Sequence, residues 1–192
     1  MLNIVLFGPP GAGKGTQAVK IKEKYDLVHI STGDVFRALD PNSELGQLAK
    51  SYADKGDLVP DDVTIKILES EVQKYPNAKG VIYDGFPRTI AQAEALDQFL
   101  QSKGTSITGM VALEVGEAEL KTRLQKRALD SGRPDDADPE IIANRIKVYN
   151  DKTAPVAGFY KGQGKYAGIN GVGSIEEIFD GLCNAIDALA VK

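Results

Sequence analysis

Gly8-Pro9-Pro10-Gly11-Ala12-Gly13-Lys14 keeps the spacing G-x-x-x-x-G-K. Its flanks give that spacing meaning. The apolar run Asn3 to Phe7 before it reads as a strand buried on both faces, and Thr16 to Tyr25 after it has helical composition. A turn of this kind points backbone N–H groups inward at phosphate oxygens. The helix N-terminus adds partial positive charge and Lys14 adds a full one. Gly15 stands where the general pattern has Ser or Thr, and Thr16 follows with a hydroxyl able to face magnesium. The alternative, an ordinary glycine-rich strand-to-helix turn, does not need the lysine.

A second chemical signal is a shortage. Of the 23 basic residues only six are arginine: Arg37, Arg88, Arg123, Arg127, Arg133 and Arg145. Lysine suffices for solubility, whereas the arginine fork grips phosphate through two parallel bonds. Ser31-Thr32-Gly33-Asp34 follows a short strand candidate at Val28-His29-Ile30, with Arg37 one turn on. Asp84-Gly85-Phe86-Pro87-Arg88 follows another at Val81 to Asp84, with Gln92 in the next helix. Both segments lie at carboxyl ends of strands, where open α/β sheets bind ligands. Arg123 and Arg127, four apart, share a helix face. This is more phosphate-directed charge than one triphosphate requires.

The elements that must position these residues alternate. Further strands are predicted at Met110 to Val115 and Lys165 to Asn170. Helices are predicted over 43–55, Asp61 to Tyr75, Thr89 to Lys103, Glu117 to Ala128, from Pro139 towards 157, and from Ser174 to the end. Ser43 is a candidate cap, Asp138-Pro139 an N-cap followed by proline, and Thr89-x-x-Gln92 and Ser174-x-x-Glu177 two capping boxes. Strands alternating with helices predict a parallel sheet covered on both faces. Residues 31–60 and the breaker-rich 129–138 fit the alternation least well and read as insertions.

Composition removes several classes. A net charge of −4 argues against bulk nucleic-acid binding. One cysteine (Cys183) and one histidine (His29) exclude an internal disulfide and a Cys/His structural zinc site. The N-terminus lacks a basic segment before its short apolar run, and no stretch approaches a membrane span, so a cytoplasmic chain without a membrane partner is expected.

Taken in order, Gly8 to Thr16, Ser31-Thr32-Gly33-Asp34, Asp57-Leu58-Val59-Pro60, Asp84-Gly85-Phe86-Pro87-Arg88-Thr89 and Ser131-Gly132-Arg133-Pro134-Asp135-Asp136 resemble the short-lid adenylate kinases, within the nucleoside monophosphate kinases. The resemblance covers essentially the whole chain. The family's loop has Gly then Thr after its lysine, which accounts for Gly15-Thr16. It implies an α/β P-loop kinase core with a five-stranded parallel sheet flanked by helices, built from residues 1–30, 61–128 and 139–192. An AMP-binding insertion would occupy 31–60 and a short lid 129–138. The implied reaction is reversible phosphoryl transfer from MgATP to AMP giving two ADP, by a monomer whose partners are ATP, AMP and ADP.

The resemblance also implies site residues. ATP would meet Gly11, Ala12, Gly13, Lys14, Gly15, Thr16, Arg127 and Gly173. AMP would meet Thr32, Arg37, Asp57, Leu58, Val59, Gly85, Phe86, Pro87, Arg88, Gln92, Arg133 and Arg145. Lys14, Arg88, Arg123, Arg127, Arg133 and Arg145 would surround the transferring group. Magnesium would come with the phosphates, near Thr16 and Asp84, without an assigned direct protein ligand. The chain departs from the family pattern at Val35-Phe36, where methionine-leucine is usual, and by one extra residue between Arg133 and Arg145.

Plainer readings compete at single residues. His29 reads as a packed strand residue, Cys183 as core, and Asp138 as an N-cap; Asp135 and Asp136 read as lid residues, with solvated loop charges the alternative. A capping box and recognition of a base would compete for the Gln92 amide, and the resemblance favours the base. Among whole-protein alternatives, a UMP/CMP kinase would favour alanine at Thr32 and asparagine at Gln92. A GTPase-like switch would need an Asn-Lys-x-Asp element, which is absent.

Overall fold

The computed structural model describes residues 1–192. Five strands form one sheet: β1 (Leu2–Phe7), β2 (Val28–Ser31), β3 (Gly80–Asp84), β4 (Gly109–Glu114) and β5 (Tyr166–Asn170). Their order is β2-β3-β1-β4-β5 and every neighbouring pair is parallel. Parallel strands need crossovers, and helices supply them. These are α1 (Lys14–Tyr25), α2 (Thr32–Arg37), α3 (Glu44–Ala53), α4 (Asp61–Gln73), α5 (Ile90–Ser102), α6 (Glu117–Ser131), α7 (Pro139–Val148), α8 (Val156–Lys161) and α9 (Ile175–Ala190).

The sheet is buried on both faces, so its central strands read as unbroken apolar runs. Alternate side chains divide between two cores. Val5, Phe7, Val81, Tyr83, Met110 and Ala112 pack against Leu68, Leu96, Leu100 and Tyr160. On the opposite face Ile4, Leu6, Ile82, Val111 and Leu113 pack against Ala18, Ile21, Leu120, Leu182 and Ile186. The switch point of this order lies beside β1. The chain leaves β1 to pass over β3 and form β2, and leaves β3 to pass back over β1 and form β4. Their carboxyl ends therefore open a crevice.

Most boundaries follow the caps. Ser43 accepts from Gly46 N, Asp138 from Glu140 N, and Ser174 with Glu177 closes a complete capping box. Three expectations need correction. Residues 129–131 belong to α6, which continues until Gly132 takes a left-handed turn at φ 63°. The helix predicted from 139 towards 157 is interrupted: α7 ends at Val148, a π-helical turn spans Tyr149–Thr153, and α8 starts at Val156. Pro155 lacks the N–H a continuous helix would use there. Finally, Thr89 accepts from Gln92 N, but the Gln92 side chain bonds Arg88 N instead of closing the box.

Gly80 begins β3 directly against β1, and a Cβ there would lie 1.9 Å from Leu2 O. Neither strand can retreat without giving up their pairing. Gly80→Ala is expected to destabilise the fold by at least about 2 kcal/mol, read as a lowered midpoint in urea. The specific activity of the remaining folded fraction should be unchanged.

Candidate active site

The loop between β1 and α1 is held by conformations that side chains resist. Gly11 has φ +84° and a Cβ there would lie 2.9 Å from Leu124 Cγ; Gly13 has φ +97°. No acidic residue occupies the first turn of α1, so nothing on the helix competes for its N-terminal dipole. Lys14 folds back over the loop, its Nζ donating to Gly8 O at 2.8 Å and Pro9 O at 3.1 Å. Burial, reinforced by Arg88, Arg145 and Arg127 against the opposing pull of Asp84, pushes its pKa down to about 8.

The end of β3 faces this lysine. Burial would raise the Asp84 carboxyl. The His29 bond (Nε2 to Oδ2, 3.0 Å) and the Lys14 charge outweigh it and hold the group below the ordinary carboxylate range. Arg88 is tied three ways. Its Nε donates to Gly85 O at 2.6 Å, its backbone N to Gln92 Oε1 at 2.7 Å, and its carbonyl accepts from Thr153 Oγ1 at 2.8 Å. Burial first, and then Arg145, push the Arg88 pKa down to about 10, so it remains charged at neutral pH. Thr32 Oγ1 donates to the same Gly85 carbonyl at 2.9 Å. Arg37 pairs with Asp34 one turn away.

Three more arginines converge from α6, the 134–136 turn and α7. Asp136, 1% exposed, accepts from Arg127 Nε at 2.5 Å and Arg127 Nη2 at 2.8 Å, and from Arg145 Nη1 at 2.7 Å. Asp135 accepts from Arg133 Nη2 at 2.8 Å. Burial works against both carboxylates, but these arginines keep both below their ordinary pKa. Arg123 stands apart. It pairs with Glu119 and donates to Ala12 O at 3.3 Å and Gly171 O at 2.8 Å, tying the phosphate loop to the segment after β5.

Lys14, Asp84, Asp135 and the arginines border one cavity of about 840 Å³ at the carboxyl ends of the strands. Its lining includes Lys14, Thr16, the six arginines, Thr32, Asp57 to Val59, Gly85 to Pro87 and Gln92. Two residues that the sequence points to are not in that lining. Ala12 is buried in the core beneath the loop, and Gly173 is exposed on the segment after β5. Phe86, 1% exposed, also packs into the core. Residues 31–60 reach α7 through Asn144, whose Nδ2 donates to Lys55 O at 2.6 Å and Asp57 Oδ1 at 2.9 Å.

Comparison with known proteins agrees with this geometry. A family model described as Adenylate kinase matches residues 6–165. The chain is 56% identical to an adenylate kinase of Flavobacterium psychrophilum and 54% identical to one of Bacteroides fragilis. Each alignment covers 98% of this chain and 100% of the relative. An adenylate kinase of Caulobacter vibrioides is 43% identical over 98% of this chain and 99% of its own length. The chain belongs to the adenylate kinase family.

Adenylate kinases in general use ATP with magnesium. The donors here fit such an ion: the exposed Thr16 and the ionised Asp84 both line the cavity beside the phosphate loop. No group of three His, Cys, Asp or Glu side chains converges, so phosphate oxygens and water would complete the coordination. Sequence reading did not find the partner roles of His29 and Thr153. The His29–Asp84 contact spans 55 positions and the Thr153–Arg88 contact 65, and neither follows a local spacing rule.

The lowered Lys14 pKa has a measurable result. Phosphates beside the ammonium restore its charge, so binding takes up a proton where free Lys14 is partly neutral, above about pH 8. Titration calorimetry of ATP binding in buffers of different ionisation enthalpy should show little uptake at acidic to neutral pH and rising uptake through pH 8 to 9. Uptake that is unchanged in Lys14→Met would contradict this origin.

Proposed function

We infer that this chain transfers the γ-phosphoryl group of ATP directly to AMP, reversibly, giving two molecules of ADP. The observation that carries the reading is the convergence of Lys14, Arg88, Arg127, Arg133 and Arg145 on one cavity. The same cavity is lined by the phosphate loop and by Thr32, Asp57 to Val59 and Gln92. Such a cavity suits two anionic nucleotides facing each other.

The mechanism follows from the chemistry of the acceptor. A phosphate oxygen of AMP is already ionised at neutral pH, so no general base is required. The chain's work is alignment and stabilisation of negative charge on the moving group. Backbone N–H groups of Gly11 to Thr16 and the Lys14 ammonium hold the ATP phosphates. Arg88 and Arg37 hold the AMP phosphate. Arg127, Arg133 and Arg145 neutralise the oxygens of the transferring group once Asp135 and Asp136 share them with the ligand. Magnesium bound with ATP would supply further charge neutralisation, and Thr16 and Asp84 would hold it or its waters. Arg123 and Gly173 belong to the ATP side.

Water has to be kept out, or ATP would be hydrolysed. Residues 31–60 act as the AMP-binding segment and 129–138 as a short lid, with 1–30, 61–128 and 139–192 as the core. Adenylate kinases are themselves a standing example of closure around ligands, and closure is carried over here from the family. A cytoplasmic monomer completes the reading on the same basis. No helix is long and apolar enough to cross a membrane.

Two measurements test the assignment. Transfer from ATP to AMP, CMP, UMP and dTMP should be confined largely to AMP, and transfer chiefly to UMP or CMP would overturn it. Arg88→Ala should lower turnover roughly 10³-fold or more with circular dichroism unchanged. Near-native turnover would remove Arg88 from its role.

A further inference from the structure

We propose that Asp61 is a positioning residue for base selection: it fixes the Gln92 amide in one orientation, which accepts a 6-amino purine and rejects a 6-oxo purine. The inference deepens the reading above, resting on Gln92 as the group that meets the base of the monophosphate.

Gln92 is 1% exposed and lines the cavity. Its Nε2 donates to Asp61 Oδ1 at 2.9 Å, and its Oε1 accepts from Arg88 N at 2.7 Å. Thr89 Oγ1 donates to the same Asp61 oxygen at 2.9 Å and accepts from Gln92 N at 3.2 Å, so the carboxylate is itself held in place. An ionised carboxylate can only accept and a backbone N–H can only donate. The order of the amide is therefore dictated by its partners. Turning it over would set N–H against N–H at Arg88 and oxygen against oxygen at Asp61.

That constraint matters because an amide has capacity left over. With these two bonds made, Gln92 retains one N–H and one oxygen lone pair. Adenine offers an acceptor at N1 beside an amino donor at position 6. Hypoxanthine and guanine offer a donor at N1 beside an oxygen acceptor at position 6, the reverse order. A freely turning glutamine would serve both by flipping. One held at both ends serves a single order, and the wrong base faces unpaired polar groups.

A plainer role for Asp61 would be its negative charge at the start of α4. Asp62 also stands in that first turn, so the helix dipole has an acid without Asp61. Asp61 is the residue that reaches Gln92 and Thr89 in α5 and its cap. It follows Pro60 at the end of the 31–60 segment, where the chain enters the core.

The test is Asp61→Asn, which preserves shape but can present either an oxygen or an NH₂. Initial rates are measured with AMP and with inosine monophosphate at saturating MgATP. The AMP-to-IMP ratio of kcat/KM should fall roughly tenfold or more, the scale of one hydrogen bond to a charged group. The loss should appear as a higher KM for AMP and a lower KM for IMP, with kcat on AMP and KM for ATP within about threefold of wild type. An unchanged ratio overturns the proposal. Gln92→Ala separates the two layers. If it leaves KM for AMP unaltered, the base reading itself fails. If it raises that KM while Asp61→Asn keeps the ratio, only the positioning role fails. Should Asp61→Asn not fold, NMR of the ligand-free wild-type protein decides. A slowly exchanging Gln92 side-chain amide coupled through its hydrogen bond to the Asp61 carboxylate supports the proposal, and a freely exchanging one overturns it.

Discussion

Crowding of like charge is the constraint on which the rest of this structure depends. Lys14, Arg88, Arg127, Arg133 and Arg145 line one cavity, and burial first, with their mutual repulsion added, lowers the pKa values of Lys14 and Arg88. Without ligand such a cluster would drive itself apart. Three aspartates hold it together. Asp84 faces Lys14 and Arg88, while Asp135 and Asp136 bind Arg127, Arg133 and Arg145. These carboxylates offset the positive charge gathered at the cavity. Their charge-assisted bonds hold the arginine side chains in fixed orientations along the cavity.

The sheet is what makes that concentration of charge affordable to the fold. β1 and β3 lie side by side in parallel, so the phosphate loop and the Asp84–Arg88 segment leave from the same edge. Apolar cores on both faces lock this pairing. The polar work is thereby confined to one end of an otherwise apolar platform. The interrupted helix has a place in the same scheme: its π-helical turn sets Thr153 under the Arg88 carbonyl, consistent with the tendency of such turns to occur at functional sites.

Much of this was legible in the residues. The phosphate loop announced itself through spacing and context, and the scarcity of arginine pointed to the residues that line the cavity. Capping residues placed the starts of α3, α7 and α9. Where reading fell short, other partners, one a neighbour in the chain and one distant, claimed groups that a local spacing rule had assigned. Thr89 and Gln92 have the spacing of a capping box, yet Arg88 N and Asp61 claim the glutamine side chain. His29 is the packed strand residue with a satisfied ring that its neighbours suggest; only its partner, Asp84, had to come from the pairing of β2 with β3.

The sequence by itself determined the chemistry on offer: a phosphate loop, a small set of arginines, an alternation of strands and helices, and a motif order shared with the adenylate kinases. These are local properties, written in spacing and residue type, and they survive without knowledge of what lies opposite. Only the tertiary structure decided the pairing. It chose which aspartate neutralises which arginine, set Arg123 against Gly171 and Ala12 and away from Asp135 and Asp136, and turned the Gln92 amide one way. Those choices depend on which strand edges and helix faces meet, and the contacts of Arg123 with Ala12 and Gly171 and of Gln92 with Asp61 join groups too distant in the chain for any periodicity to encode.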